Sequence, residues 1–339
     1  MTTDLTSPPP AAKTEPTNWW RRDAAEPVRR NLGLTAVLAA LVVIGLISAN
    51  DRFLTSGNIL NVLTQASAIG VIAIGMTFVI IGGGIDLSVG ALTALAAVWC
   101  TTVATQDFGV PGMVFTAVIV GAVAGTVNGL LIAYGRLVPF IATLAMMVSA
   151  RGLAAKISDK KTQEVDVGAV NRFAENKFLG IPLLVWLFAA VAAVGWVLLN
   201  RTAFGRRTVA VGGNAEAARL AGINVRRQTV YLYALSGVCC GIAAIMVVAQ
   251  ANAGSSGQGD LYELDAIAAV IIGGTVLTGG RGTVVGSLLG VVVFTTITNL
   301  FILNNLPAEV QNIVKGAIIA GAVLVQQFQP SKLLLRRRP

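Results

Sequence analysis

An all-α, polytopic membrane protein is the fold class this sequence predicts, on three observations. The 339-residue chain is 55% hydrophobic and only 12% charged, about half the charged share of an ordinary soluble domain. Its apolar residues gather in windows of ~20, the length a helix needs to cross a hydrocarbon core about 30 Å thick. The loops between those windows hold lysine and arginine unevenly, and that asymmetry orients a chain in a bilayer.

Residues 1 to 31 come first. They carry Pro8 to Pro10 and Trp19-Trp20-Arg21-Arg22, are polar, and lack the apolar run of a cleaved secretion signal. They read as a disordered basic cytoplasmic tail whose indole pair suits headgroup depth. The transmembrane domain, 32 to 328, holds about ten candidate helices: 32 to 49, 59 to 82, 86 to 106, 112 to 134, 138 to 157, 180 to 199, 229 to 250, 263 to 279, 283 to 303 and 308 to 328. The second begins polar and the eighth is short. Either is a candidate for a broken or re-entrant segment, which is tolerated where protein or a cavity surrounds the exposed backbone. A second basic cytoplasmic tail, 329 to 339, ends the chain.

Ten spans place both termini in the cytoplasm. The inner segments then hold most of the basic residues, among them Arg21, Arg22, Arg29, Arg30, Arg206, Arg207, Arg219, Arg226, Arg227 and Arg336 to Arg338. The same placement explains the net charge of +9 without a nucleic-acid partner. The outer loop 158 to 179 mixes signs and reads as a solvated connector, or else as a surface that meets an external partner. Cys100, Cys239 and Cys240 lie in apolar stretches as small core residues, since neighbours such as Cys239 and Cys240 make a strained bridge. The chain has no histidine, hence neither the commonest neutral-pH base nor the commonest metal ligand. Catalytic residues and metal ligands are expected to be absent.

The inner loop 200 to 228 is the most informative stretch. Asn214 is placed to cap a short helix after a turn at Gly212-Gly213, and Gly222 to stop it after Glu216, Ala217, Ala218, Arg219 and Leu220. An alanine-rich helix with an aliphatic edge suits a groove on another protein; an interfacial helix resting on lipid would want a larger apolar face.

Three stretches together carry a resemblance: GMTFVIIGGGIDLSVGAL at 75 to 92, VGGNAEAARLAGINV at 211 to 225, and YELDAIAAVIIGGTVLTGGRGTVVGSLLG at 262 to 290. In this order they resemble the membrane permease of bacterial ribose-type ABC importers, over about residues 50 to 328. The resemblance implies a homodimeric permease of the bacterial inner membrane with about ten helices per copy. It also implies two ATP-hydrolysing subunits beneath, which hold ATP and magnesium, and an extracytoplasmic sugar-binding protein above. The cargo class would be monosaccharides such as ribose, xylose, arabinose or galactose, or another small polar solute. The loop helix becomes the coupling helix, through Gly213, Asn214, Glu216, Ala217, Ala218, Arg219, Leu220 and Gly222. Consistently, no G-x-x-x-x-G-K-[ST] phosphate loop occurs, so ATP hydrolysis needs another chain.

Polar groups inside apolar windows are the pathway candidates. Asp86 follows Gly82 to Gly84 and precedes Ser88, in the order of a helix cap after a flexible break. A carboxylate in a membrane is costly unless it faces the bundle interior, a cap or water. Asp86 thus either caps the third span near the cytoplasmic boundary, satisfied by its N–H groups, or lines or gates the path. Gln65, Asn128, Gln250, Asn252, Glu263, Asp265 and Asn299 have the chemistry to bond sugar hydroxyls or other helices. The glycine-rich 254 to 259 is an outer loop, read either as a gate at the mouth or as an ordinary connector. Gly83-Gly84, Val89, Gly90 and Leu92 recur 196 residues later as Gly279-Gly280, Val285, Gly286 and Leu288, a pattern that suits either a duplicated carrier with its site between two halves or chance similarity, since tight helix packing selects glycine by itself. A self-sufficient ion-coupled carrier would need buried paired charges, for which Asp86, Asp265, Glu309 and Lys315 are the candidates. A membrane enzyme would need a nucleophile with a base, or a metal cluster.

Overall fold

A computed structural model describes residues 19 to 327. The expectations for residues 1 to 18 and 329 to 339 lie outside the described residues. In chain order the elements are helices α1 (Trp19–Ala49), α2 (Ser56–Ile81), α3 (Val89–Cys100), α4 (Val103–Gln106), α5 (Gly109–Ala133) and α6 (Pro139–Ile157). Strand β1 (Gln163–Glu164), α7 (Gly168–Glu175), β2 (Lys177–Phe178), β3 (Ile181–Pro182), α8 (Leu183–Arg201), α9 (Ala203–Gly213) and α10 (Ala215–Leu220) follow. The chain continues through α11 (Val225–Ala251), β4 (Ala253–Gly254), α12 (Tyr262–Ile272), α13 (Val284–Leu303) and α14 (Ala308–Gln327).

Each of the ten apolar windows contains a helix, and among the described residues seven helices are long and apolar enough to cross a membrane. Two of the other windows are interrupted. The 86 to 106 window holds the 12-residue α3, about 18 Å long, and the 263 to 279 window holds the 11-residue α12, so each covers little more than half a hydrocarbon core. By contrast 59 to 82, the other candidate for a break, is occupied by the continuous 26-residue α2. Its polar start is a cap: the Thr55 hydroxyl accepts from the Asn58 N–H at 3.2 Å.

Two further differences concern local structure. Residues 19 to 31, expected as disordered tail, are the first part of α1; Ala, Arg and Glu there favour helix, although Pro27 within the stretch opposes it. Gly212-Gly213, expected as a turn, end α9 instead. The outer connector is also structured. It carries α7, and β1 pairs antiparallel with β4, Gln163 opposite Gly254 and Glu164 opposite Ala253.

Burial separates core from periphery. The apolar windows of α2 and α11 are 83% and 78% buried, whereas those of α5, α6 and α8 are each 22% buried. Lipid tails solvate apolar side chains as well as another helix does, so helix association depends on close backbone approach and polar ties. Gly121, Gly125 and Gly129 of α5 supply the first. A Cβ at these positions would strike the Gly237 carbonyl, the Tyr233 carbonyl and the Val230 Cα of α11. Asn58 and Asn299 supply the second, exchanging amide hydrogen bonds of 3.0 and 2.8 Å between the start of α2 and α13. The Thr77 hydroxyl adds one to Ser287 at 2.7 Å.

Candidate functional site

A buried polar centre lies where the chain leaves α2 and enters α3. Gly82 to Gly84 break the helix, with Gly83 at φ 85°, and the following residues carry Asp86 into the bundle beside α11. Asp86, Ser88 and Asn128 are fully buried. The Asp86 Oδ1 accepts from the Ser88 N–H at 3.0 Å and from the Ser88 hydroxyl, while Oδ2 accepts from the Ser236 hydroxyl at 2.9 Å. The Asn128 amide donates to the Ser88 hydroxyl at 2.9 Å, and the Tyr233 hydroxyl donates to the Ile85 carbonyl at 3.2 Å. Ser236 is near the middle of the 27-residue α11. Asp86 is therefore bonded to the N-cap residue of α3 and to the middle of α11. Among the described residues the Asn128 Oδ1 has no hydrogen-bond partner.

A second carboxylate group surrounds the start of α12. The 254 to 259 loop descends along α3, and a Cβ at Gly90 would strike both the Gly259 carbonyl and the Glu263 Oε2. Arg151 of α6 holds this loop, donating to the Ser256 and Gln258 carbonyls at 2.7 and 2.8 Å and pairing with Asp260 at 3.6 Å. Glu263 is 8% exposed. Asp265 is paired with Lys315 of α14 at 3.1 Å, and the Lys315 ammonium lies 5.5 Å from the centre of the Phe294 ring.

The remaining sequence candidates do not join either group. Gln65, Gln250 and Asn252 are exposed; Asn252 ends α11 at φ 54° and its carbonyl accepts from the Val165 N–H at 3.0 Å. Asn299 is committed to Asn58. Sequence reading missed Ser236 and Tyr233, which look like ordinary residues of an apolar span. It also missed the α5 glycines, although their spacing of four, repeated by Gly237 and Gly241, is a helix-packing signal legible in the chain.

The inner loop forms a projecting helix. The Asn214 side chain accepts from the Ala217 N–H at 2.9 Å, which caps α10. At the other end Gly222 takes φ 81° and its N–H bonds to the Arg219 carbonyl, while the Ile223 N–H reaches the Ala218 carbonyl. Only Ala218 of α10 is buried, and Leu220 is 76% exposed. Arg219 donates two hydrogen bonds to Glu216, at 2.6 and 3.1 Å. The guanidinium holds the Glu216 carboxyl below its ordinary value, first by hydrogen bonding and then by charge.

A cavity of about 390 Å³ opens between α3, α5 and α6, lined by Leu95, Val120, Met146 and Leu153 with Ser149 among them. Its lining is almost wholly apolar and offers little to the hydroxyls of a polar solute. Among the described residues no group of three or more His, Cys, Asp or Glu is placed to hold a metal ion.

Comparison with known proteins identifies the family. The family model described as branched-chain amino acid transport system / permease component matches residues 58 to 323. The ribose import permease protein RbsC of Bacillus subtilis (strain 168) is 42% identical over 312 residues, covering 88% of this chain and 94% of that protein. Its counterpart in Escherichia coli (strain K12) is 37% identical over 297 residues, 86% of this chain and 92% of that protein. The galactofuranose transporter permease protein YtfT of the same strain is 35% identical over 271 residues, 80% of each. No solved structure gives a significant match. The chain is a multi-pass membrane protein and belongs to the branched-chain amino acid transport system / permease component family.

Proposed function

We propose that this chain forms the translocation pathway of an ABC importer for a monosaccharide of the ribose, xylose, arabinose and galactose class. It works in the bacterial plasma membrane, with about ten membrane helices and both termini in the cytoplasm; α3, α12 and α14 complete the seven long spans. A second copy of the permease faces it, two separate subunits bind and hydrolyse ATP with magnesium, and an extracytoplasmic sugar-binding protein delivers the cargo. Binding and hydrolysis of ATP move α10 and switch the path between the two faces by alternating access.

One observation carries the reading: a short helix capped at both ends stands out from the bundle with Leu220 76% exposed, on a chain whose sequence has no phosphate loop. The relatives at 35 to 42% identity named for ribose and galactofuranose support a sugar as cargo. Gentle detergent extraction of the tagged protein from its native host, followed by mass spectrometry, tests the assembly. An ATPase and a binding protein are expected to accompany it, and the binding protein's ligand identifies the solute. A branched-chain amino acid in that pocket would move the cargo to the class named in the family description.

The buried Lys315–Asp265 pair favours a second reading, an ion-coupled carrier, because such carriers use paired charges inside the bundle. Uptake by the chain alone, in ATP-free vesicles and abolished by an ionophore, would establish that reading and remove the first.

A further inference from the structure

We infer that a backbone junction of Gly83, Gly212, Gly279 and Gly280 transmits movement of α10 into both interrupted helices, which makes Gly212 a positioning residue for transport. The inference rests on α10 being the contact with the ATPase.

The α9 helix ends at Gly213 and Asn214 caps α10 immediately after it, so the two helices adjoin directly. Gly212 is wedged between two distant turns: a Cβ there would strike the Ile81 carbonyl oxygen and the Gly280 nitrogen. Those two atoms are themselves hydrogen-bonded, the Gly280 N–H donating to the Ile81 carbonyl at 2.8 Å. A Cβ at Gly279 would meet the Gly212 carbonyl and the Gly83 Cα, and one at Gly280 would meet the Gly213 Cα. Gly83, Gly279 and Gly280 have φ of 85°, 85° and 73°, the left-handed region that L side chains rarely adopt. Three chain segments thus meet with no side chain between them. A side chain can absorb a displacement by changing rotamer; a backbone contact in a close-packed interior passes it on.

Both turns lead to the polar groups described above. From Gly83 the chain reaches Asp86, which is bonded to α11 through Ser236. From Gly279 it runs back to α12, whose Asp265 is paired with α14, and forward to Thr283, whose hydroxyl caps α13 by accepting from the Gly286 N–H at 3.0 Å. The two turns are the recurring glycine pairs of the sequence, packed on one another, and α10 is attached at their meeting point. A displaced α10 therefore moves an interrupted helix in each half of the chain. Gln228 anchors α9 to the start of α11, its amide donating to the Thr208 hydroxyl at 2.8 Å, which leaves the Gly212 end as the output.

Hydrogen exchange on the complete importer in nanodiscs, without nucleotide and with ATP plus vanadate, tests this without a mutation. Peptides 203 to 222, 79 to 85 and 276 to 283 are expected to change together. A change in 203 to 222 with both turn peptides unaltered overturns the junction and leaves the docking assignment standing; no change in 203 to 222 overturns both. In Gly212→Ala, uptake per inserted permease is expected to fall about tenfold, an ordinary coupling energy, with ATP hydrolysis by the complex largely kept. Gly129→Ala, also tight against Val230 but outside the three segments of the junction, is expected to lower abundance with solute moved per ATP unchanged. A normal ratio in Gly212→Ala, or an equal loss of ratio in Gly129→Ala, overturns the inference.

Discussion

Asp86 receives three hydrogen bonds in a fully buried setting, and its role follows from what its removal strands. Asp86→Ala leaves the Ser88 N–H and the hydroxyls of Ser88 and Ser236 without their acceptor. Each stranded buried group costs about 1–3 kcal/mol, so a marked fall in melting temperature and in inserted protein is expected. Asp86→Asn keeps one acceptor and loses the charge, and should fall between it and the wild type. Thermal unfolding in detergent, read by tryptophan fluorescence, checks the order. A normal melting temperature with lost uptake would instead place Asp86 in the solute path. Glu216 illustrates the opposite, exposed case. Arg219 lowers its carboxyl below the ordinary 4.5, so the pair is fully formed above that pH and is lost as pH falls through the lowered value. Complex formation between permease and ATPase is therefore expected to be flat from pH 6 to 8 in a pull-down. Arg219→Glu sets two carboxylates one helical turn apart and is expected to abolish transport while the permease remains inserted; wild-type uptake would sink the docking assignment.

At the scale of elements, polar ties and glycine contacts hold helices whose apolar surfaces lipid would solvate equally well. The Asn58–Asn299 exchange is the clearest tie, and a double-mutant cycle isolates it. Either alanine variant strands its partner's amide and is expected to cost about 1–2 kcal/mol, while the double variant costs less than the sum of the two. Additive losses would show that the amides act separately. The same physics decides what could be read from the chain. Long windows such as 112 to 134 and 229 to 250 became α5 and α11 because apolar length alone specifies a span. The Asn214 to Gly222 helix was legible because its capping and stop residues act locally. The partners of Asp86 were not, since Ser236 lies 150 positions away and only tertiary packing brings it near. The breaks at α3 and α12 needed a distinction that composition cannot make, because a glycine-rich apolar stretch can continue a helix or interrupt it. Gly83 follows the end of α2 and Gly274 the end of α12, and their left-handed φ stops the hydrogen-bond ladder there.

For the whole molecule, the arrangement of polar groups bears on where a solute could pass. Asp86, Ser88 and Asn128 are sealed inside one copy and bonded to one another, and the 390 Å³ cavity has an almost wholly apolar lining. Gln65 and Gln250, whose amides are capable of meeting a sugar's hydroxyls, instead face outward. That distribution favours a path formed between two copies, with the exposed amides toward it and specificity residing in the binding protein. It also leads to a quantitative expectation. The 35.0 kDa chain in nanodiscs should give a native mass corresponding to two copies, and Gln65→Leu or Gln250→Leu should raise the solute concentration needed for half-maximal uptake without changing the melting temperature. Exposed polar positions cost little stability when replaced, so the melting temperature separates a path residue from a packing one. A permease that transports at full rate with one copy per disc would put the path inside a single bundle and return Asp86 and Asn128 to its lining.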